Sequence, residues 1–161
     1  MSILEKQVDA LMRLCIAETD SEKATARHEV MRMMGVRPAN PAATDPEFAI
    51  QELLLELGSP DHLVGYPYVV KAVMMVIEDR TFIDNITFCL YPKLAEIFDT
   101  TPTRAERAIR HLIEVTWSRC DMKILSRYFG NTVSPRKGKP TNSEFLARVA
   151  NIVKLRMKEA A

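Results

Sequence analysis

Tyr91-Pro92-Lys93-Leu94-Ala95-Glu96-Ile97-Phe98-Asp99-Thr100-Thr101-Pro102-Thr103-Arg104-Ala105-Glu106-Arg107-Ala108-Ile109-Arg110-His111 is the stretch on which the fold turns. It reads as a short helix, a tight polar turn and a longer helix, the order of a helix-turn-helix. Such a motif needs small residues where its helices cross, and Ala95, Ala105 and Ala108 supply them. It also needs a clean second start. Pro102 suits a first helical position, where its missing N–H would have no intrahelical partner in any case. Thr103 with Glu106 offers the spacing of a capping box, and the pattern leaves open which residue caps.

Helical angles sort the longer helix into faces. At about 100° per residue, Ala105, Ile109, Leu112 and Thr116 form one stripe, while Arg104, Arg107, His111 and Ser118 lie nearly opposite. One helix thus carries a core face and a cationic face. Arginines at the front of a helix in the major groove can make paired hydrogen bonds to guanine O6 and N7. Glu106 either closes the cap, the preferred reading, or accepts from a cytosine amine. Taken alone, Arg104, Arg107 and Arg110 equally fit a solvated basic face, with Arg110 paired to Glu106 or Glu114. The preceding helix and turn favour a binding face. For His111, a structural role, a phosphate contact and base reading all stay open.

Working outward, Ser134-Pro135-Arg136-Lys137-Gly138-Lys139-Pro140 is a basic loop leading to a helix that starts at Thr141 or Asn142 and runs to about Lys158. Lysines beside the amides of a helix start suit a phosphate. A further helix is expected over Met122–Phe129, and Trp117, Tyr128 and Phe129 read as core anchors rather than base-stacking groups. Upstream, Asp45-Pro46-Glu47 looks like a cap followed by proline at the first helical position, opening a helix through Leu57 to Gly58. Another spans Tyr66 to Asp79, and shorter ones fall around Asn85–Cys89 and Pro92–Phe98. Before Gly35 two further helical patterns stand, the first with Ser2 as a candidate cap, and three prolines between Arg37 and Pro46 mark a linker. No sustained period-two alternation flanked by hairpin turns occurs, so the expected class is all-α. The expected organisation is an N-terminal helical extension with linker over 1–45 and a DNA-binding domain over 46–161.

Charge is segregated. The net charge is +1, yet residues 1–61 hold 6 basic and 11 acidic side chains, and residues 103–140 hold 9 and 3. The basic block is where a polyanion would sit. Cys15, Cys89 and Cys120 are far apart, as are His28, His62 and His111, so no metal-ligand spacing exists and the thiols read as buried or half-buried. No phosphate-binding glycine loop or nucleophile–base pair is recognisable, so neither an enzyme nor a cofactor is expected. No apolar run approaches the roughly 18–20 residues that span a bilayer. With an early acid at Glu5 and no signal-peptide pattern, the expectation is a cytoplasmic protein with no membrane partner.

The run Thr103 to Arg119 closely resembles the recognition helix of the sporulation response-regulator family, stage zero protein A. Lys139-Pro140-Thr141-Asn142-Ser143-Glu144-Phe145 is similar to the start of that family's last helix, and Gly65-Tyr66, Leu90-Tyr91-Pro92 and Phe129-Gly130 match in order and spacing. The likeness covers about Leu53 to Lys158. It implies a six-helix effector domain that binds short elements in double-stranded DNA, often in tandem as a homodimer on the DNA, and that contacts RNA polymerase sigma factor. Carried onto this chain, Arg104 and Arg107 would read bases. Thr103, Arg110, His111, Lys137 and Lys139 would hold phosphates or flanking positions. A polymerase-facing segment would fall near Arg119 to Phe129, with Arg119, Lys123 and Arg127 as its cations; Cys120, Asp121, Lys123 and Arg127 depart there from the family pattern.

Only some 45 residues precede the matching region, too few for the α/β receiver domain the family carries, so no phosphoacceptor is expected. The N-terminal helices have several readings: dimerisation, masking of the DNA face, binding of another regulator, or capping of the core. Two functions remain in view. One is a sequence-specific transcription regulator. The other is a protein-binding antagonist that sequesters a related regulator or sigma factor, suggested by the acidic front with Met31, Met33 and Met34.

Overall fold

Asp45 caps the first described helix as its sequence predicts. Its side chain accepts a hydrogen bond from the Glu47 amide at 3.0 Å, with Pro46 in the first turn, and helix α1 runs Pro46–Glu56. The computed structural model describes residues 45–130 and 138–160, all within one unit, Pro41–Ala161. The helical patterns before Gly35, the linker up to Thr44 and the loop residues Ser134, Pro135, Arg136 and Lys137 lie outside the described residues.

After α1 come α2 (Gly65–Glu78), α3 (Thr81–Asp84), a π-helical turn over Ile86–Leu90, α4 (Tyr91–Ile97), α5 (Pro102–Arg119), α6 (Met122–Phe129) and α7 (Asn142–Ala160). Among the described residues there is no strand. Six of these helices have seven residues or more and α3 is a single turn, so the all-α, six-helix expectation holds. No helix among the described residues is long and apolar enough to cross a membrane.

Helix ends follow local chemistry. Gly58 sits at φ +70, and the Gly58 and Ser59 amides donate to the Leu55 and Leu54 carbonyls, both at 2.9 Å. This paired closure of a helix C-terminus requires a left-handed residue, which glycine adopts without steric cost. At the start of α7, Thr141 and Glu144 form a reciprocal capping box. The Thr141 amide donates to Glu144 at 2.8 Å, and the Glu144 amide donates to the Thr141 hydroxyl at 3.2 Å.

Helix α2 is the hub. It packs against α5, α7 and α1, and Tyr68, Val69, Val70, Ala72, Val73, Met75 and Val76 are all buried. Four of these are valine, whose stiff side chains disfavour isolated helices; burial on several sides holds the helix instead. Its first residue makes the closest approach. A Cβ on Gly65 would lie 2.2 Å from the Ala108 carbonyl oxygen of α5, so α2 and α5 meet backbone to backbone. The second half of the core is aromatic. Phe129 of α6 stacks on Phe145 of α7 (centroids 5.5 Å apart) and meets Trp117 of α5 edge-on at 5.2 Å, an arrangement aromatic rings favour. Of the expected core anchors, Phe129 is fully buried and Tyr128 is 9% exposed, while Trp117 is half-buried against them; Phe145 is fully buried as well.

A polar knot joins α1, α6 and α7 at the edge of this core. The Tyr128 hydroxyl donates to Glu56 at 2.6 Å, and Arg156 donates both to Glu56 at 3.0 Å and to the Tyr128 oxygen at 2.8 Å. Its guanidinium lies 5.7 Å from the Tyr128 ring centroid. The Arg156 hydrogen bond holds the Glu56 carboxyl below its usual range, against partial burial, and the Tyr128 hydroxyl adds to the effect.

Gly65→Ala should lower unfolding free energy by about 3 kcal/mol, the upper part of the range for forced overpacking, as read by denaturant titration. Glu56 predicts a pH dependence. Its folded pKa lies below the ordinary 4.5, so its contribution is fully present above that value and is lost as pH falls through the lowered folded pKa. Unfolding measured from pH 5 to pH 3 should therefore show a smaller stability loss in Glu56→Gln than in the wild type.

Candidate nucleic-acid interface

The turn between α4 and α5 sets where the basic helix begins. Phe98 caps α4, Asp99 adopts φ +48, and the Thr100 amide donates to the Ala95 carbonyl at 2.9 Å. This is the left-handed closure seen after α1, with aspartate in glycine's place; short polar side chains tolerate that region better than most. Thr101 then caps α5, its hydroxyl accepting from the Arg104 amide at 3.3 Å, with Pro102 in the first turn. The Thr103–Glu106 capping box is thereby corrected. The cap lies two residues earlier, because proline at the first helical position places the capping side chain immediately before it, as in Asp45-Pro46.

Glu106, freed of capping, forms an ion pair with Arg110 one turn on. Its main-chain carbonyl accepts from the Asn142 side chain at 3.1 Å. Asn142 is 9% exposed and also donates to the Tyr91 hydroxyl at 3.0 Å, so one amide joins α7 to both helices of the helix-turn-helix. Burial pushes the Tyr91 hydroxyl's pKa up, keeping it protonated. On the far side, the Ser59 and Thr116 hydroxyls pair at 2.9 Å in a buried contact. Both ties were missed from sequence. The helical angles put Thr116 on the core stripe, which implies a buried hydroxyl in need of a partner, but nothing local points to Ser59.

With α5 held on both sides, its faces separate as the helical angles require. Ala105, Ile109, Leu112, Ile113 and Thr116 are buried. Thr103, Arg104, Arg107, Arg110 and His111 are exposed. Ala95 and Ala105 are buried as crossing residues should be, whereas Ala108 is where α2 approaches. Among the described residues, Arg104 and Arg107 have no ion pair, so their donors are available for a ligand. Lys139, from the loop before α7, forms an ion pair with Glu114 of α5. Arg110, Lys139 and the start of α7 line an open hollow of about 510 Å³ together with Ile86 and Thr87. The structure thus brings six predicted residues to one side of α5, namely Thr103, Arg104, Arg107, Arg110, His111 and Lys139. Lys137 lies outside the described residues.

Arg119, Lys123 and Arg127 fall elsewhere. All three are exposed, Arg119 at the end of α5 and the others on α6. Arg119 lies about 22 Å along the helix axis from Arg104, at about 1.5 Å per residue. Arg127 stands 5.4 Å from the Tyr128 ring centroid. Cys89 and Cys120 are half-buried free thiols.

The family described as Sporulation initiation factor Spo0A C terminal matches residues 50–153, a span running from within α1 into α7 and taking in the whole helix-turn-helix. The chain belongs to that family. The Spo0A C-terminal fold is a helical, DNA-binding effector domain of sporulation regulators, and the family is regulatory rather than catalytic. The tie through Asn142 falls inside the matched span, so the geometry that orients α5 lies within the family's own region.

Asn142→Ala should cost about 2 kcal/mol of stability, since it leaves a buried hydroxyl and a carbonyl without their donor. Urea unfolding of the variant beside Tyr91→Phe separates the two bonds, with the larger loss expected for Asn142→Ala.

Proposed function

We propose that this chain is a sequence-specific transcription regulator that reads short elements in double-stranded DNA through α5. One observation carries the reading. Arg104 and Arg107 stand exposed, without ion pairs among the described residues, on the first turns of a helix whose opposite face is buried in a helix-turn-helix. At those positions guanidinium groups can reach guanine O6 and N7 in the major groove. Thr103, Arg110, His111, Lys137 and Lys139 would hold phosphates or flanking positions, fixing register rather than reading sequence. Contact with RNA polymerase sigma factor through Arg119, Lys123 and Arg127, and pairing of two copies on tandem elements, belong to the same reading. The separation of Arg119 from Arg104 along α5 supports two surfaces used at once.

Fluorescence anisotropy tests the proposal, with a duplex bearing the family's tandem element titrated against a scrambled duplex at two salt concentrations. A preference of about 10³-fold or more is expected, with affinity falling as salt rises. Arg104→Ala combined with Arg107→Ala should erase most of that preference, each bidentate contact being worth about 1–3 kcal/mol of discrimination. Equal weak binding of both duplexes by the wild type would sink base reading and turn attention to the antagonist function, for which the double variant would leave partner binding intact.

A further inference from the structure

The cationic face of α5 carries one acid, Glu114, whose ion-pair partner lies on another element. Glu114 is seven residues after Arg107, four after Arg110 and three after His111. At about 100° per residue it lies within about 20° of Arg107 and between the other two, about 10 Å further along the axis. It therefore points toward the side from which a DNA backbone would approach. A carboxylate there repels phosphate, yet it is placed among cations. It is also engaged: Glu114 and Lys139 form an ion pair across 25 residues of sequence, both side chains remaining close to half exposed. The Lys139 hydrogen bond draws the Glu114 carboxyl below its usual range, with His111 and Arg110 contributing through space.

So exposed a pair adds little to folding stability. Its consequence is electrostatic and local. Non-specific DNA binding consists almost wholly of cations displacing counterions from phosphates. A lysine already neutralised by a carboxylate contributes little to that process, and the carboxylate subtracts from it.

We infer that Glu114 is a specificity-determining residue, holding Lys139 away from DNA in arbitrary register and giving it up only when base contacts seat a phosphate against it. The inference rests on the DNA-reading function proposed above. In the seated complex the arginine contacts hold the backbone in place, so a phosphate can replace Glu114 as the partner of Lys139. On a wrong sequence the backbone is not held, and the internal pair persists. Glu114 acts through Lys139 and touches no base.

The test is the salt dependence of binding for Glu114→Gln, measured by anisotropy on the element-bearing and scrambled duplexes, with a thermal melt to establish folding. Freeing one lysine should tighten the scrambled complex about tenfold near 0.1 M salt and steepen its log–log salt slope by about 0.9. The element-bearing complex should keep its slope and tighten by less than about threefold, so that discrimination falls. In a Lys139→Gln background the Glu114→Gln effect on slope should vanish. Equal tightening of both duplexes, no change in either, weakened binding, or a slope change that survives Lys139→Gln would each overturn the inference. Wild-type protein that fails to prefer the element would remove the proposed function itself. A wild-type preference left unaltered by Glu114→Gln would remove this inference alone.

Discussion

Helix α5 can turn its arginines outward only because α2 approaches it to backbone contact at Gly65. No side chain separates the two helices there, and the Ala108 carbonyl fills the space a Cβ would need. That contact fixes the rotation of α5 about its axis. Ala105, Ile109 and Leu112 are pressed into the core, and the residues opposite have only solvent to face. A rotation of even one residue position, about 100°, would bury an arginine without a partner, at a desolvation cost no exposed contact could offset. The functional surface is thus a consequence of close packing on its reverse side.

Three polar ties complete the frame, each joining elements distant in sequence. Ser59 with Thr116 fastens the loop before α2 to the last turn of α5. Asn142 joins the start of α7 to Tyr91 and to the Glu106 carbonyl. Glu56, Tyr128 and Arg156 hold α1, α6 and α7 together. Polar groups satisfied in this way give orientation that apolar contacts alone leave loose. Asn142 bears most directly on function, since it couples α7 to the turn that aims α5. Lys139 stands just before the same helix start and pairs with Glu114 of α5, so it shares one reference with the exposed arginines of that helix.

Much of this could be read in the chain because the governing signals were local. Asp45-Pro46, the terminal glycine at Gly58 and the 3.6-residue periodicity of α2 and α5 each act within a turn or two, and each element formed where those signals placed it. The division of α5 into a buried and a cationic face needed only helical geometry. The choice of cap shows the limit of local reading. Thr103 and Glu106 have capping-box spacing, but Pro102 before them had already fixed the start of the helix, and Thr101 took the role. What escaped entirely was long-range: Ser59 opposite Thr116, Asn142 against Tyr91, and the pairing of Glu114 with Lys139. In each of these the partner is chosen by how helices cross rather than by spacing along the chain. The candidate base readers were therefore legible, while the groups that position and modulate them were not.

Stability and binding draw on separate sets of residues in this domain. The core rests on Phe129, Phe145, the α2 valines and the close approach at Gly65, none of them charged. The cationic surface rests on exposed side chains whose ion pairs contribute about 0–1 kcal/mol each to folding. Charge on α5 and its neighbouring loop can then change with little effect on the fold, and the balance of 9 basic to 3 acidic residues over 103–140 is free to answer to the ligand. The acids that remain in that block carry information for the same reason. Asp121 caps α6 through the Lys123 amide at 2.7 Å, and Glu106 steadies Arg110 within a turn of helix. Glu114 alone reaches across to another element, where it pairs with Lys139. Under the proposed DNA-reading function its placement would answer to recognition rather than to folding, because a surface that attracts every phosphate equally cannot also discriminate among sequences.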